Sequence, residues 1–278
     1  MATSHQLYAQ AALLVIVALL AARYLDFFGS DNLSQMTTSS TSGQLPEILE
    51  VPALGKHTAT VIFIHGLGDT GYGWKPVADM FQKDTDFRDV KWILPHAPHI
   101  PVTLNDGAVM PAWYDIKSLG KDREEDENGM LKTKASITAL IEKEISAGIP
   151  ADRIVLGGFS QGAVTTLLTG LTIDKKLAGL VVLSGVVPLR SKFKELLSPH
   201  ATTIPVFWGH GTADQIVPYK FAEESIELLQ SLNFTVIKGG KKAEGVSFNG
   251  YQGLPHSTDP FELMDLKAWL KQVIPPTD

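Results

Sequence analysis

Short apolar runs alternate with amphipathic stretches along most of the chain after Leu45. Six runs are rich in β-branched and aromatic residues, and Gly or Pro follows each within two residues, as is typical of buried strands. The predicted strands are Thr60–His65, Val90–Leu94, Ile154–Leu156, Leu177–Leu183, Pro205–Trp208 and Val246–Tyr251. Apolar positions at helical spacing predict helices at Lys132–Ala147, Gln161–Leu171, Tyr219–Leu232 and Phe261–Leu270. Strands buried on both faces that alternate with helices predict an α/β domain, with a mostly parallel sheet covered by helices on both faces.

The N-terminal residues have a different character. Residues 7–28 are apolar except for Gln10, Arg23 and Asp26, and about twenty such residues suffice to cross a bilayer. The uninterrupted core, residues 11–22, has the length of a signal-peptide core. A membrane anchor, a cleaved signal and translation from Met36 therefore all remain open. Arg23 follows the apolar core, which favours an anchor with the rest of the chain in the cytosol.

The chain divides into three predicted parts. Residues 1–29 form the hydrophobic segment, an apolar helix of the anchor or signal type. Residues 30–44 are small and polar, which predicts a flexible linker. Residues 45–278 form a single folded domain. Two glycosylation sequons, at Asn32 and Asn233, make the side of the membrane testable.

Composition and charge exclude several classes of protein. The 278 residues include no Cys and carry a net charge of −6, which excludes disulfides, a cysteine nucleophile and palmitoylation of the protein itself. A net acidic chain is not expected to bind nucleic acid. No phosphate-binding glycine loop is present, so no nucleotide cofactor is expected. No metal is expected either, because His96 and His99 have no acidic residue nearby in the sequence.

The strongest chemical signal is the pentapeptide Gly158-Phe159-Ser160-Gln161-Gly162. It follows a predicted strand and precedes a predicted helix. A sharp turn at this point would expose the serine hydroxyl, and the glycines on either side remove side chains that would clash in the turn. The sequence therefore predicts Ser160 as a nucleophile.

A serine nucleophile needs a histidine base and a carboxylate that orients it, and in this strand–turn–helix context they follow the serine in the order acid, then histidine. Asp214 ends the turn after the strand 205–208, and His256 lies in a loop between the last strand and the last helix. We predict Asp214 as the acid and His256 as the base. The remaining histidine in this region, His210, lies at a strand end beside the acid.

Stabilisation of an oxyanion requires two backbone N–H donors. Gln161 follows the nucleophile and supplies one. The loop His65-Gly66-Leu67-Gly68 follows the first long strand, and its glycines let the Leu67 amide approach a substrate carbonyl. We predict Leu67 and Gln161 as the oxyanion residues, and a structural role for His65.

Several motifs together resemble the acyl-protein thioesterase/lysophospholipase family, which also includes small bacterial carboxylesterases. They are HGLGDTG at 65–71, LPHAP at 94–98, VTLNDGAVMPAWYDI at 102–116, GGFSQG at 157–162, LAGLVVLSG at 177–185, and the later HGTAD and LPHS segments. The resemblance implies an α/β-hydrolase fold and a triad of Ser160, Asp214 and His256. It also implies oxyanion amides at Leu67 and Gln161, the positions already reached from the residues.

The resemblance implies hydrolysis of fatty-acyl thioesters on S-acylated proteins. The alternatives are a lysophospholipase or a general carboxylesterase, and, from another class, an inactive hydrolase fold that serves as a binding module. All three triad residues are present, which argues against the binding module. A homodimer is left open. Two departures from the family stand out, namely Ala163 in place of a glycine and residues 233–245, an apparent insertion expected to hang over the surface or reshape access to the site.

Overall fold

The computed structural model describes residues 45–120 and 123–277, and a central sheet organises them. The strands are β1 Ile48–Val51, β2 Ala59–Ile64, β3 Val90–Pro95, β4 His99–Val102, β5 Ala108–Pro111, β6 Ile154–Phe159, β7 Gly179–Leu183, β8 Val206–Gly211, β9 Val236–Lys238 and β10 Val246–Tyr251. The helices are α1 Gly71–Gln82, α2 Glu127–Ser146, α3 Gln161–Gly170, α4 Phe193–Leu196, α5 Tyr219–Ser231 and α6 Pro260–Val273. All six predicted strands and all four predicted helices are present; β10 has the predicted bounds, and the other elements differ from prediction at one or both ends.

Eight of these strands form one sheet in the order β1-β3-β2-β6-β7-β8-β10-β9. All neighbours are parallel except β1, which runs antiparallel to β3. Strands β4 and β5 form a separate antiparallel hairpin. The carboxyl ends of the parallel strands therefore share one edge of the sheet, hereafter the carboxyl edge, and the opposite edge is the amino edge.

Alternating side chains of each strand enter two hydrophobic cores, one on each face of the sheet. On β2, Ile62 and Ile64 belong to the core that also contains side chains of α2, α3 and α5, whereas Val61 and Phe63 belong to the core formed with α1 and α6. Burial on both faces explains why the strands are continuous apolar runs. The prediction of an α/β fold with helices on both faces is confirmed.

Some elements have no counterpart in the hydrophobic pattern. Helix α1 begins with the low-propensity sequence Gly71-Tyr72-Gly73 and contains Pro76. These residues argue against a helix, so the helical spacing of its buried residues Trp74, Ala78 and Phe81 did not lead to a prediction. Strands β1, β4, β5 and β9 have only three or four residues each, too few for a period of two to be distinguished from chance.

The apparent insertion at residues 233–245 is an edge strand with its two connections. Within it, β9 pairs in parallel with Val246–Phe248, the first half of β10, and positive φ angles at Gly239 and Gly245 turn the chain back between the two strands. The segment lies beside the half of β10 that is remote from His256. None of its residues lines the cavity beside the nucleophile, so the expectation that it reshapes access to the site does not hold.

The predicted hydrophobic segment and linker lie outside the described residues. Within residues 45–120 and 123–277, we find no helix with the length and hydropathy needed to span a bilayer.

Candidate active site

Ser160 occupies a strained turn between β6 and α3. Its φ of 54° and ψ of −117° lie in a region that non-glycine residues adopt at a cost of about 1–3 kcal/mol, and its amide donates a hydrogen bond to the carbonyl of Leu183, 2.8 Å away. A Cβ on Gly158 would overlap the backbone of Gly162, and one on Gly162 would overlap the backbone of Ile64. Glycine at both positions is therefore a packing requirement of the turn.

The three residues predicted as a triad lie in one hydrogen-bonded line at the carboxyl edge. Nε2 of His256 is 2.9 Å from Oγ of Ser160, and Nδ1 of His256 is 2.7 Å from Oδ2 of Asp214. These distances allow the imidazole to accept the serine proton at one nitrogen while the carboxylate accepts a hydrogen bond from the other.

The Asp214 carboxylate is buried and held by the chain that follows it. Its Oδ1 accepts hydrogen bonds from the amides of Ile216 and Val217, at 2.9 and 2.8 Å. His210 is fully buried beside it, with Nε2 directed at the carbonyl of Val217, 2.8 Å away, and burial lowers the pKa of this histidine. This shift favours the neutral ring of His210, whose hydrogen bond fixes the turn, and His256 is the histidine whose ring reaches Ser160.

The two predicted oxyanion donors line the same cavity as Ser160. Among the described residues, neither the amide of Leu67 nor that of Gln161 donates to a protein acceptor. Buried or half-buried N–H groups normally find a partner, so two free amides beside a nucleophile form a site suited to a developing negative charge. Gln161 is also the first residue of α3, whose N-terminus favours such a charge.

The side chain of Gln161 has a positioning role that sequence reasoning missed. Its Oε1 accepts a hydrogen bond from the amide of Trp113, at 2.9 Å, and its Nε2 donates to the carbonyl of Tyr114, at 2.8 Å. The Trp113 indole in turn donates to the carbonyl of His65, at 2.9 Å. These bonds connect the nucleophile turn to the oxyanion loop. The recognisable motif at 102–116 was the available signal.

The contacts of His65 agree with the structural role that the sequence predicts for it. Its Nδ1 lies 2.7 Å from the carbonyl of Gly66, and its Nε2 accepts a hydrogen bond from the amide of Ala97 at 3.1 Å. Burial lowers the pKa of His65 to about 4, so the ring is neutral at physiological pH. The imidazole therefore holds the oxyanion loop against the end of β3.

Aromatic rings support the imidazole of His256. The ring of Phe159 lies 4.8 Å from it, between centroids, and Trp74 of α1 packs against Phe159 at 5.9 Å. Trp74 also packs against Phe63 of β2 at 4.2 Å. The unpredicted helix α1 thus contributes to the position of the base.

A mostly apolar cavity of about 220 Å³ opens beside Ser160. Its apolar lining includes Leu67, Leu104, Met130, Val164, Val186 and Phe221, and Ser184 and Gly185 form part of its wall. An acyl chain buried there would gain about 0.8 kcal/mol for each methylene removed from water. The described residues include no group of three potential metal ligands.

The fold and this arrangement define the class of the protein, a serine hydrolase of the α/β-hydrolase type. Residues 48–274 match the model of the Phospholipase/Carboxylesterase family. The chain belongs to that family.

Curated relatives and solved structures agree with this assignment. An acyl-protein thioesterase 1 of Cryptococcus neoformans is 49% identical over 232 residues, which cover 81% of this chain and 97% of the relative. Its counterpart in Emericella nidulans is 43% identical over 235 residues, covering 81% and 94%. The crystal structure of Zea mays acyl-protein thioesterase 2 aligns with a TM-score of 0.72 at 31% identity, covering 82% of this chain and 99% of that one. Arabidopsis thaliana SOBER1 aligns with the same TM-score and identity, covering 78% and 99%.

Proposed function

We propose that this enzyme hydrolyses fatty-acyl thioesters on S-acylated cysteines of proteins, through an acyl-enzyme on Ser160. The observation that carries the proposal is the hydrogen-bonded line from Asp214 through His256 to Ser160, beside an apolar cavity. The relatives that are named acyl-protein thioesterases support the choice of substrate class.

Each step of the reaction uses a group in this arrangement. Oγ of Ser160 attacks the thioester carbonyl carbon while Nε2 of His256 takes its proton, and Asp214 stabilises the imidazolium that forms. The amides of Leu67 and Gln161 stabilise the oxyanion. Nε2 of His256 then returns the proton to the cysteine sulfur as the C–S bond breaks. Water, activated by the same imidazole, releases the fatty acid from Ser160.

The test compares three substrates with the full chain in detergent micelles. They are a palmitoylated cysteine peptide, a lysophospholipid and a short-chain aryl ester. We expect the highest kcat/KM for the peptide, and a fall of at least about 10⁴-fold on it for Ser160→Ala, with unchanged Tm. Ser231→Ala is the control, because Ser231 is an exposed serine at the end of α5 that does not line the cavity, and this variant should keep the activity.

The outcomes separate the alternatives. Preference for the lysophospholipid or the aryl ester would move the function to a lysophospholipase or a general carboxylesterase. Activity that survives Ser160→Ala would overturn the mechanism for every one of these substrates.

We further propose that residues 7–28 anchor the enzyme to a membrane, with the catalytic domain in the cytosol. The apolar length of this segment and Arg23 on its C-terminal side support the orientation. Asn233 is an exposed residue of an N-F-T sequon and would be available for glycosylation in a lumen. We expect no mobility shift of the full chain from cells after enzymatic deglycosylation, and a shift would overturn the cytosolic orientation.

A further inference from the structure

Two cavities share the imidazole of His256, the ring of Phe159 and the side chain of Asp69. The first is the apolar cavity beside Ser160. The second has a volume of about 200 Å³, and Ser160 is not part of its lining. The other residues that line this second cavity come from α1 and from the loop after His256, and they are Gly73, Trp74, Val77, Ser257 and Thr258.

The chemistry of thioester hydrolysis divides the substrate between these two cavities. The carbonyl oxygen must meet the amides of Leu67 and Gln161, which line only the first cavity, and the apolar lining there suits the acyl chain. The leaving sulfur must meet Nε2 of His256, which returns the proton to it. The leaving peptide therefore passes His256, and the second cavity lies where one of its side chains can bind.

Asp69 is the only acidic residue among the described residues that line the second cavity. Its Oδ1 accepts a hydrogen bond from the amide of Thr70 at 2.7 Å. Over residues 45–120 and 123–277, no Lys, Arg or His nitrogen lies within 4.0 Å of its carboxylate oxygens. Lys75, early in α1, pairs with Asp79 instead. Burial raises the pKa of Asp69, as expected for a carboxylate that lacks a counter-charge.

The Asp69 carboxylate is held against the first turn of α1, close to solvent. A Cβ on Gly73 would overlap both carboxylate oxygens, so glycine at this position leaves the carboxylate its place. Gly73 and Ser257 are both exposed, and the second cavity therefore opens to solvent beside the carboxylate. A cation that enters from solvent can reach Asp69 directly.

The remaining walls of the second cavity suit the apolar stem of a long cationic side chain. Trp74 packs against Phe159 with their ring centroids 5.9 Å apart, and Val77 lies one turn after Gly73 on α1. Lysine and arginine place their methylene stems along apolar surface and keep the charged head in a polar environment. Aromatic rings also attract cations, and the net charge of −6 favours a basic ligand.

The carboxylate distinguishes between two cations that a leaving group can carry. The quaternary ammonium of a choline head group has no N–H, so it cannot donate a hydrogen bond to a carboxylate. Lysine and arginine can donate to Oδ2 of Asp69, which accepts no hydrogen bond from the residues that the structure describes. Charge-assisted hydrogen bonds of this type are stronger than neutral ones, which favours a basic peptide over a choline lipid.

We propose that the second cavity binds a lysine or arginine side chain of the leaving peptide, near the S-acylated cysteine, with Asp69 as its counter-ion; this rests on the proposed thioesterase function. The contact is independent of the acyl chain, because that chain occupies the first cavity. The enzyme therefore selects among proteins that carry the same fatty acid by the charge of the sequence around the modified cysteine.

The test uses the full chain in detergent micelles and S-acyl peptides that differ in one residue. Lysine or glutamine is placed, in separate peptides, at each of the two positions before and the two positions after the acylated cysteine, and the rest of the peptide is uncharged. We expect kcat/KM to be about tenfold higher with lysine than with glutamine for at least one position. In Asp69→Asn this lysine-to-glutamine ratio should fall to about one.

Two further variants separate the contact from general effects of charge and folding. Asp152→Asn removes the same charge from an exposed residue just before β6 that lines neither cavity, and its ratio should stay near tenfold. Gly73→Ala keeps the acid but displaces its carboxylate, and its ratio should fall toward one while Tm stays near that of the parent protein. An unchanged ratio in Asp69→Asn, or an equal fall in Asp152→Asn, would overturn the proposal.

The remaining outcomes distinguish the second cavity from the proposed activity. Equal kcat/KM for lysine and glutamine at all four positions would overturn the proposal and leave the thioesterase function in place. So would slower hydrolysis of lysophosphatidylcholine by Asp69→Asn with an unaltered peptide ratio, because the second cavity would then bind the choline head group. Absence of hydrolysis of every acyl peptide by the parent protein would instead contradict the proposed function.

Discussion

Two buried glutamates at opposite edges of the sheet have contrasting surroundings. Glu144, in the last turn of α2 at the amino edge, accepts hydrogen bonds from Oγ1 of Thr60 at 2.7 Å and Nζ of Lys91 at 2.7 Å. Glu262, in the first turn of α6 at the carboxyl edge, has no hydrogen-bond partner among the described residues for either carboxylate oxygen. Both side chains are almost completely inaccessible to solvent.

The two edges of the sheet differ in the same way as these two glutamates, in whether their polar groups are paired. At the amino edge, Arg153 donates to the carbonyls of Thr58 and Pro275, so polar groups are paired. At the carboxyl edge, Ser160 and Ser184 have positive φ angles, and the amides of Leu67 and Gln161 are free of protein acceptors. The amino edge pairs its buried charges, Glu144 with Lys91, and these contacts hold α2 on the sheet. The other keeps strain and unpaired donors, as expected where binding and catalysis occur.

The largest effect in this comparison is expected from Glu144→Gln. The change leaves the Lys91 ammonium, which is only 14% exposed, without a counter-charge, and breaking such a buried pair costs about 3–5 kcal/mol. We expect the free energy of unfolding to fall by an amount near the lower end of this range, because the amide of glutamine can still accept hydrogen bonds. The Tm should fall by about 6–12 °C. Since Glu144 does not line the cavity, kcat/KM on a soluble thioester at 25 °C should not change.

Asp79→Asn is the matched control for that variant. It removes the ion pair between Lys75 and Asp79 on α1, in which both side chains are more than 40% exposed, and such pairs contribute less than about 1 kcal/mol. A Tm loss for Glu144→Gln no larger than that of the control would show that pairing at the amino edge does not stabilise the fold.

The contrast also explains what could be predicted from sequence. Ser160 and its flanking glycines form a local signal, because a strand, a turn and a helix meet within a few residues. Asp214 and His256 followed from their order along the chain. Glu144 lies 53 positions from Lys91 and 84 positions from Thr60, the residues it is paired with. Nothing in the sequence indicates that Glu144 has such partners and that Glu262 has none. Sequence order predicted which three residues lie in one hydrogen-bonded line at the carboxyl edge, whereas the pairing of buried charges depended on tertiary contacts.

The positioning side chains were missed for the same reason. The amide group of Gln161 reaches residues 113 and 114, nearly fifty positions away. Trp74 supports His256 from a helix whose glycines and proline concealed it. In both cases the residue type was visible, but its partner was set by the packing of elements distant in sequence.

A smaller effect, of opposite sign, is expected from Glu262→Gln. Burial, and secondarily the nearby Asp259 carboxylate, raise the pKa of Glu262 from 4.5 to about 8. Between these values the folded protein keeps a proton that the unfolded chain has lost, so stability falls as pH rises through the window from about 4.5 to about 8. Glutamine cannot ionise, and the variant should therefore be more stable than the parent protein by about 2 kcal/mol near pH 6.

The pH dependence separates ionisation from packing in this variant. A neutral carboxyl and an amide have similar shape, so the two proteins should have similar Tm values at pH 4.5, and the gap should widen steadily toward pH 8. Glu144→Gln, measured over the same range, should be less stable than the parent throughout. A constant gap for Glu262→Gln would mean that packing against Gly209, which the Glu262 carboxyl contacts closely, decides its effect. In that case the carboxyl edge would differ from the amino edge in strain and free amides, and not in the ionisation of its buried acid.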